Sequence, residues 1–425
     1  MRPGTEPASS AHGPARITII GSYGYGNFGD ELMLDGVLAG IRRTMPGARV
    51  TAMSGDPGET SRLHNVRSVG RAGGSLGRLR RYWELVQADL LVVGGGNVRD
   101  HLPRDNRPGP NTLAVSLSEV LLAHEIGVPT MCYAISIGHI LTPQGSAALK
   151  SCLEKVDAVS VRDPASAAKI SELGVSREVV VSADAAFSVV HRPQPPKGRS
   201  GIVVCLRHWY EKGNYVENPE AFDRMVGEVA AYCDAFAERY KEPVWLVPFK
   251  ATASDNDNDA DIHRELISRM RHREDAKLME RVPDVETAMS LFASSRLVIG
   301  MRLHSIIMAT ALGTPWVSVN YDPKVRGFAR YARQDRFSLE VADVSFRRLS
   351  ELESAAITDE REISAALNSL ADELRLLERR NAEMALEVLR LRPALSGPRK
   401  ALIRSVRLLK YRFNRWRTRG SGGAN

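Results

Sequence analysis

Apolar residues fall in short runs set between Gly-rich turns and amphipathic stretches. Residues 16–21, RITIIG, predict a buried strand, and the turn GSYGYGNFGD follows it. After the turn, Leu32, Leu34, Val37, Leu38 and Ile41 recur at mostly helical spacing. Strand, turn and helix in that order open an α/β unit. Similar units continue through ARVTAMS, through ADLLVVGGG (a strand ending in three glycines), through a helix over 112–126 and through VPTMCYAISIG. VDAVSVRD runs into the helix DPASAAKISELG, and REVVVSADAAF predicts one more strand. HRPQPPKGRS, residues 191–200, has three prolines and no apolar period, so it reads as a linker. The alternation then restarts: GIVVCLRHW, a long helix over 219–240, EPVWLVPF, DVETAMSLFASS, RLVIGMR, LHSIIMATALG and TPWVSVNY. Short strands without polar alternation belong to parallel sheets covered on both faces. The expected fold class is α/β: two doubly wound domains, residues 16–190 and 201–345, facing a cleft.

Strands stop near Asp343, and a helical extension is expected over 346–396. Ile363, Leu367, Leu370, Leu374, Leu377, Asn381, Met384, Val388 and Leu391 follow a 4-3 spacing. That spacing permits a coiled coil with Asn381 at its seam, and with it a homodimer, and equally a long helix lying on its own domain. Residues 397–425 form a basic amphipathic tail in which Leu402, Ile403, Val406, Leu409, Phe413 and Trp416 share one stripe. The reading placed first is an anionic membrane surface, ahead of nucleic acid and of a solvated tail.

Charge sharpens this division. The net charge is +8, but residues 399–419 hold nine Lys/Arg and no acid, so the rest sums to 8 − 9 = −1. A nearly neutral body argues against a nucleic-acid-binding protein as a whole. No run of about 18 apolar residues is present to span a bilayer. The first 15 residues lack the apolar segment of a secretory signal and read as a disordered tail. Cys132, Cys152, Cys205 and Cys233 form no CxxC pair, which speaks against a disulfide framework or zinc. The expected location is cytoplasmic, peripheral on the inner face of the cytoplasmic membrane.

Three clusters carry candidate chemistry. In Gly24-Tyr25-Gly26-Asn27-Phe28-Gly29-Asp30-Glu31, glycines allow close backbone approach to a ligand ahead of a helix amino terminus, which makes an anion site. Gly94-Gly95-Gly96-Asn97 closes a strand at its carboxyl end, where open α/β sheets bind ligands. The strongest cluster is Gly300-Met301-Arg302-Leu303-His304-Ser305, followed by Asn320-Tyr321-Asp322-Pro323-Lys324. An arginine fork, a lysine and a histidine suit a small ligand bearing carboxylate and phosphate. Arg162 ends another strand, and Arg207 with His208 ends the first strand of the second domain. Asp255, Asn256, Asp257, Asn258 and Asp259 lack the glycine and closing glutamate of a calcium loop and read as a solvated loop. No metal site is expected.

GSYGYGNFGDELML, LLVVGGGNVRD, VSVRD and above all VIGMRLHSIIMATALGTPWVSVNYDPKVRGF resemble the polysaccharide pyruvyl transferase family over about residues 16–330. The resemblance implies two Rossmann-like domains in a GT-B-like arrangement. It also implies transfer of the pyruvyl group of phosphoenolpyruvate to two hydroxyls of a glycan or lipid-linked sugar, with phosphate released and no further cofactor. The family's donor pocket maps onto Arg162, Arg302, His304 and Lys324, and its GNxGDE turn onto Gly26, Asn27, Gly29, Asp30 and Glu31. Arg207 joins the donor set as a cleft residue. His304 is the expected general acid, and Asp30 or Glu31 the expected acceptor of a sugar proton. The chain departs from the family pattern at Ala134-Ile135-Ser136-Ile137-Gly138-His139, in place of a GQGIGP-like run, at Ala185/Ala186, and at Val247-Pro248-Phe249-Lys250 in place of LPFH. A nucleotide-sugar glycosyltransferase of similar shape and a silent membrane-associated scaffold are the alternatives.

Overall fold

The computed structural model describes residues 14–71, 75–98, 117–140, 142–191, 198–208, 218–251, 258–391 and 397–420, the last segment with side chains for 400–412. The amino-terminal tail up to residue 13, most of the linker and residues 252–257 of the acidic run lie outside them.

The first sheet contains β1 (Arg16–Ile20), β2 (Arg49–Ser54), β3 (Arg67–Gly70), β4 (Leu90–Val98), β5 (Thr130–Ile137), β6 (Ala158–Val161) and β7 (Val179–Val181). The second contains β8 (Ile202–Cys205), β9 (Val244–Leu246), β10 (Ala276–Leu278), β11 (Leu297–Gly300), β12 (Trp316–Asn320) and β13 (Ser338–Glu340). Their orders are β3-β2-β1-β4-β5-β6-β7 and β10-β9-β8-β11-β12-β13. Every pair is parallel. Both orders reverse beside the first strand of their domain, which opens a crevice at the carboxyl ends of the strands. Most helices between strands start at side-chain caps, several of them Asp or Asn before proline: Asp163-Pro164, Asn218-Pro219 and Asp322-Pro323.

The two crevices meet. The Phe28 amide donates to the Phe249 carbonyl at 2.8 Å, and Asn27 pairs with Lys250 in an antiparallel bridge. The Phe28 and Phe249 rings meet edge to face at 4.9 Å. Phe28, Leu32 and Phe187 share one core with the second domain, so the junction is packed rather than merely tethered.

The three glycines expected to end β4 lie within it. Gly94 pairs with Tyr133 and Gly96 with Ile135. Gly95 (φ +47°) and Gly96 (φ +115°) take conformations that favour glycine. A Cβ on Gly94 would lie 2.9 Å from the Tyr23 hydroxyl and one on Gly95 2.8 Å from Met33 Cβ. Those two glycines therefore make room for protein side chains.

The helix Glu360–Leu391 uses most of its 4-3 positions on its own chain, while Leu391 at its end is exposed. Ile363, Leu367, Ala371 and Leu374 join the second domain's core, whereas Ala382, Met384, Ala385 and Val388 join a core of the first. Buried Asn381 accepts from Ser160 Oγ at 2.6 Å, so it is a core hydrogen-bonding residue and not a coiled-coil seam. Glu378, fully buried, accepts from Tyr133 (2.8 Å) and Ser188 and faces Arg43 at 3.5 Å. Arg375 donates to Val190 (3.1 Å) and Ala311 (2.8 Å), one carbonyl from each domain. The helix is a clasp across both halves.

The basic tail is also tied down. Lys400 donates to Gln87 O at 3.0 Å and Asp89 Oδ1 at 2.6 Å. Arg404 donates to the carbonyls of Val86, Ala88 and Gly127. Those carbonyls lie at the carboxyl ends of the helices Ser75–Gln87 and Ser118–Ile126, where cations are favoured. Ala401, Leu408 and Tyr411 pack on the first domain's core. Among the described residues no helix is long and apolar enough to cross a membrane.

Candidate functional site

The carboxyl ends of β1, β4 and β6 face those of β8, β11 and β12 around a cavity of about 260 Å³. The cavity is lined by Asn27, Asp30, Asn97, Arg162, Arg207, Lys250, Arg302, His304, Tyr321 and Lys324, among others. Among the described residues, five of the lining side chains are Arg or Lys and one, Asp30, is a carboxylate, with Asp259 and Asp184 paired behind Arg302 and Arg162. That imbalance selects an anion.

Arg302 follows β11 and is fixed from behind. Its Nε donates to Asp259 Oδ2 at 2.9 Å and its Nη2 to Oδ1, a two-pronged contact. Asp259 is fully buried and also accepts from the Phe249 and Lys250 amides, both at 2.9 Å. Asn258 caps the helix that starts there. The end of the acidic run is thus a structural anchor, which corrects the expected solvated loop.

Arg162 follows β6. Its Nη1 donates to Asp184 Oδ2 at 2.7 Å. That same oxygen lies 3.6 Å from His304 Nε2, so one carboxylate holds an arginine of the first domain beside the histidine of the second. Burial alone would raise the Asp184 carboxyl, but Arg162 and His304 outweigh it and hold it well below the usual range. Gly29 permits this contact across the domains: a Cβ there would sit 2.1 Å from His304 Nδ1.

The turn after β1 divides its two acids. Asp30 faces the cavity and accepts from Asn27 Nδ2 at 2.8 Å. Burial, with help from Glu31, raises the Asp30 carboxyl against the opposing pull of His304, Lys324 and Arg162. Glu31 is not in the lining. One of its oxygens accepts from the Gly24 amide (2.7 Å), and the other meets His64 Nε2 (2.8 Å). His64 Nδ1 meets Asp35 at 2.6 Å. Burial would lower the His64 pKa, but the bonds to Asp35 and Glu31 push it up to about 9. Glu31 therefore braces the turn, and Gly24 (φ +74°) and Gly26 (φ +66°) give that turn its bend. Tyr23 ties the turn to β4 by donating to Gly94 O at 2.6 Å.

Arg207 Nη1 donates to the Tyr321 hydroxyl at 3.1 Å, and its guanidinium lies 4.8 Å from that ring's centre. Lys324 Nζ lies 5.7 Å from the same ring. Burial favours the neutral phenol, but Lys324 and Arg207 outweigh it and lower the Tyr321 pKa. A second chamber of about 470 Å³ shares Asn97, Arg162, Leu303 and Lys324 with the first. Much of its wall is apolar: Phe187, Ile307, Phe328, Tyr331 and Leu374. Among the described residues, the one group with metal-ligand spacing is His272, Glu274 and Asp275, and it lines neither chamber.

The expected residues Arg162, Arg207, Arg302, His304, Lys324, Asp30, Asn27 and Asn97 thus share one cavity, while Glu31, Gly26, Gly29 and Gly94–Gly96 support its walls. Sequence reasoning missed Asp184, Asp259, Lys250 and His64 as parts of this arrangement, and it gave Tyr321 no role of its own within the strongest cluster. Asp184 carries one signal that was available, since it is an acid placed just past the end of a strand.

Two parallel Rossmann-like sheets joined across a cleft define a GT-B-like protein. Comparison makes this narrower. The family profile described as "Polysaccharide pyruvyl transferase" matches residues 27–323, and the chain belongs to that family. A search of curated proteins finds no match. Among solved structures, the chain is similar to the UDP-GlcNAc 2-epimerase from Neisseria meningitidis bound to UDP-GlcNAc (TM-score 0.58, 11% identity, 89% of this chain and 100% of that one). It is also similar to the UDP-GlcNAc 2-epimerase from Methanocaldococcus jannaschii (0.55, 9%, 85% and 99%) and to S. aureus MnaA with UDP (0.54, 10%, 83% and 91%). At such identities the likeness concerns the fold alone.

Proposed function

We propose that the protein transfers the pyruvyl group of phosphoenolpyruvate to two hydroxyls of a glycan or lipid-linked sugar, forming a cyclic ketal. The observation that carries this reading is the lining of the smaller cavity, where the described residues supply five cations, one carboxylate and a histidine. A molecule with a phosphate and a carboxylate on three carbons needs several fixed cations and little apolar contact.

His304 donates a proton to the methylene carbon of the donor, and the electron deficiency moves to the central carbon. A sugar hydroxyl adds there and gives its proton to Asp30. The bond from the central carbon to the phosphate oxygen then breaks, with its electrons leaving on phosphate. The second hydroxyl adds to the same carbon, gives its proton to the now neutral His304 and closes the ketal, while the proton held by Asp30 leaves with phosphate. Atoms balance with no redox change, so the steps call for no further cofactor. Arg302, Arg162 and Lys324 hold the donor and stabilise the departing phosphate. Arg207 and Lys250 add to the same field. The larger chamber takes the acceptor, with Phe328 and Tyr331 offering flat apolar faces to a sugar ring.

The test is phosphate release from phosphoenolpyruvate with a panel of glycosides and glycolipid precursors, coupled to mass spectrometry. A product carrying a pyruvyl ketal supports the reading. No phosphate release across the panel, together with thermal protection by a nucleotide sugar, replaces it with glycosyl transfer.

A further inference from the structure

Docking of the tail leaves two apolar stripes uncovered. On the helix Ser75–Gln87 they are Leu76 (83% exposed), Leu79 (52%) and Trp83 (54%). On the helix Gly397–Gly420 they are Leu402 (67%), Val406 (57%) and Leu409 (66%). The spacings, i, i+3, i+7 and i, i+4, i+7, put each trio on one helix face. The two helices pack against each other on the first domain. Half of the twelve exposed large hydrophobic residues among the described residues lie on these two helices, which marks a patch rather than scatter.

We infer that these two helices together form a docking face for an anionic lipid bilayer. Charge decides the occupant. Arg78, Arg80, Arg407, Lys410 and Arg412 are exposed around the stripes. The only carboxylate on either helix, Glu84, is buried against Arg67, and the neighbouring Asp89 is taken by Lys400. A second copy of the chain would bring the same positive face to a symmetric contact, and like charges oppose that. A bilayer with anionic headgroups supplies apolar depth for Leu and Trp and phosphates for the cations.

The site's orientation adds a consequence. A helix that joins two parallel strands runs against them, so the Leu76 end lies at the carboxyl edges where the cavity opens. Under the proposed reaction, the bilayer would stand near the cleft and present a lipid-borne acceptor to it. This last point rests on that reaction, whereas the docking face does not.

The experiment is flotation of the full chain with phosphatidylglycerol/phosphatidylcholine vesicles and with pure phosphatidylcholine vesicles. Two triple variants are compared with the wild type: Leu76→Ser/Leu79→Ser/Trp83→Ser and Leu402→Ser/Val406→Ser/Leu409→Ser. Thermal melting checks their folding. The expected result is flotation with anionic vesicles alone, weakened by high salt and at least about tenfold weaker in each variant. Full binding by the first variant overturns the two-helix face in favour of the tail alone. Absence of wild-type flotation overturns the inference outright, as does a dimer in sedimentation equilibrium that the same variants dissolve. Ketal formation plays no part in these readouts, so failure here is distinct from failure of the proposed reaction.

Discussion

The two domains share one order over their first six strands and one direction of pairing, yet they bring different groups to the cleft. The first supplies the carboxylates Asp30 and Asp184 and a glycine-bent turn. The second supplies Arg207, Lys250, Arg302, His304 and Lys324. Arg162, the first domain's cation, is matched by Asp184 of the same domain. One fold thus contributes a glycine-bent turn with Asp30 in one copy and most of the cavity's cations, with His304, in the other. The division follows from which side chains stand just past the strands, where sequence changes leave the sheet untouched. It also means that neither half alone carries a complete site.

The largest effect should come from His304, at the contact between the halves. His304→Gln is expected to lower kcat by about 10²–10⁴-fold while changing donor affinity far less. Steady-state kinetics separates the two, and unchanged turnover would remove the acid assignment. Asp259→Ala comes next. It removes the two-pronged partner of the buried Arg302, and denaturant unfolding should show a loss of about 3 kcal/mol. Gly29→Ala tests the joint directly. Its Cβ would fall 2.1 Å from His304 Nδ1, so the histidine must shift; turnover should drop about a hundredfold with the unfolding midpoint little changed.

His64 offers a pH-dependent probe of the first domain's turn. Its pKa is raised from 6.5 to about 9 by Asp35 and Glu31. The stabilisation is full below 6.5 and is lost as pH rises through about 9. Unfolding measured from pH 7 to 10 should show a decline of about 2 kcal/mol in the wild type and a much flatter profile in His64→Gln. The smallest effect concerns Ala134, held at φ +50° within β5. Ala134→Gly relieves that left-handed backbone and should stabilise by about 0.5–1 kcal/mol, read as a small rise in Tm. The family's GQGIGP-like pattern has glycine at this place.

Buried strands were readable because a parallel sheet demands continuous apolar runs, whereas Gly94–Gly96 looked like an end and lie inside β4 because they make room for Tyr23 and Met33. The helix expected over 219–240 is Pro219–Tyr240 in the structure. Strands β3, β10 and β13, of three or four residues at or near sheet edges, are too short to leave a periodic signal. The cations of the cleft were readable because they follow strands. Their partners were not, since Asp259 meets Arg302 from 43 residues away and only the fold brings them together. The 4-3 repeat over 363–391 records a helix buried along one stripe and is silent about what covers it. Lys400 and Arg404 looked like lipid-facing cations because a sequence does not show two helix carboxyl ends waiting beside them.

The central claim is that the second domain's cations bind the donor while Asp30 serves the chemistry. Calorimetric titration of phosphoenolpyruvate into wild type, Lys324→Met, Arg302→Lys and Asp30→Asn tests it most directly. Binding is expected to weaken at least about tenfold in the first two variants, and to hold or tighten in Asp30→Asn, whose turnover nonetheless falls. Equal affinity in all four proteins, or loss of binding in Asp30→Asn alone, would contradict it.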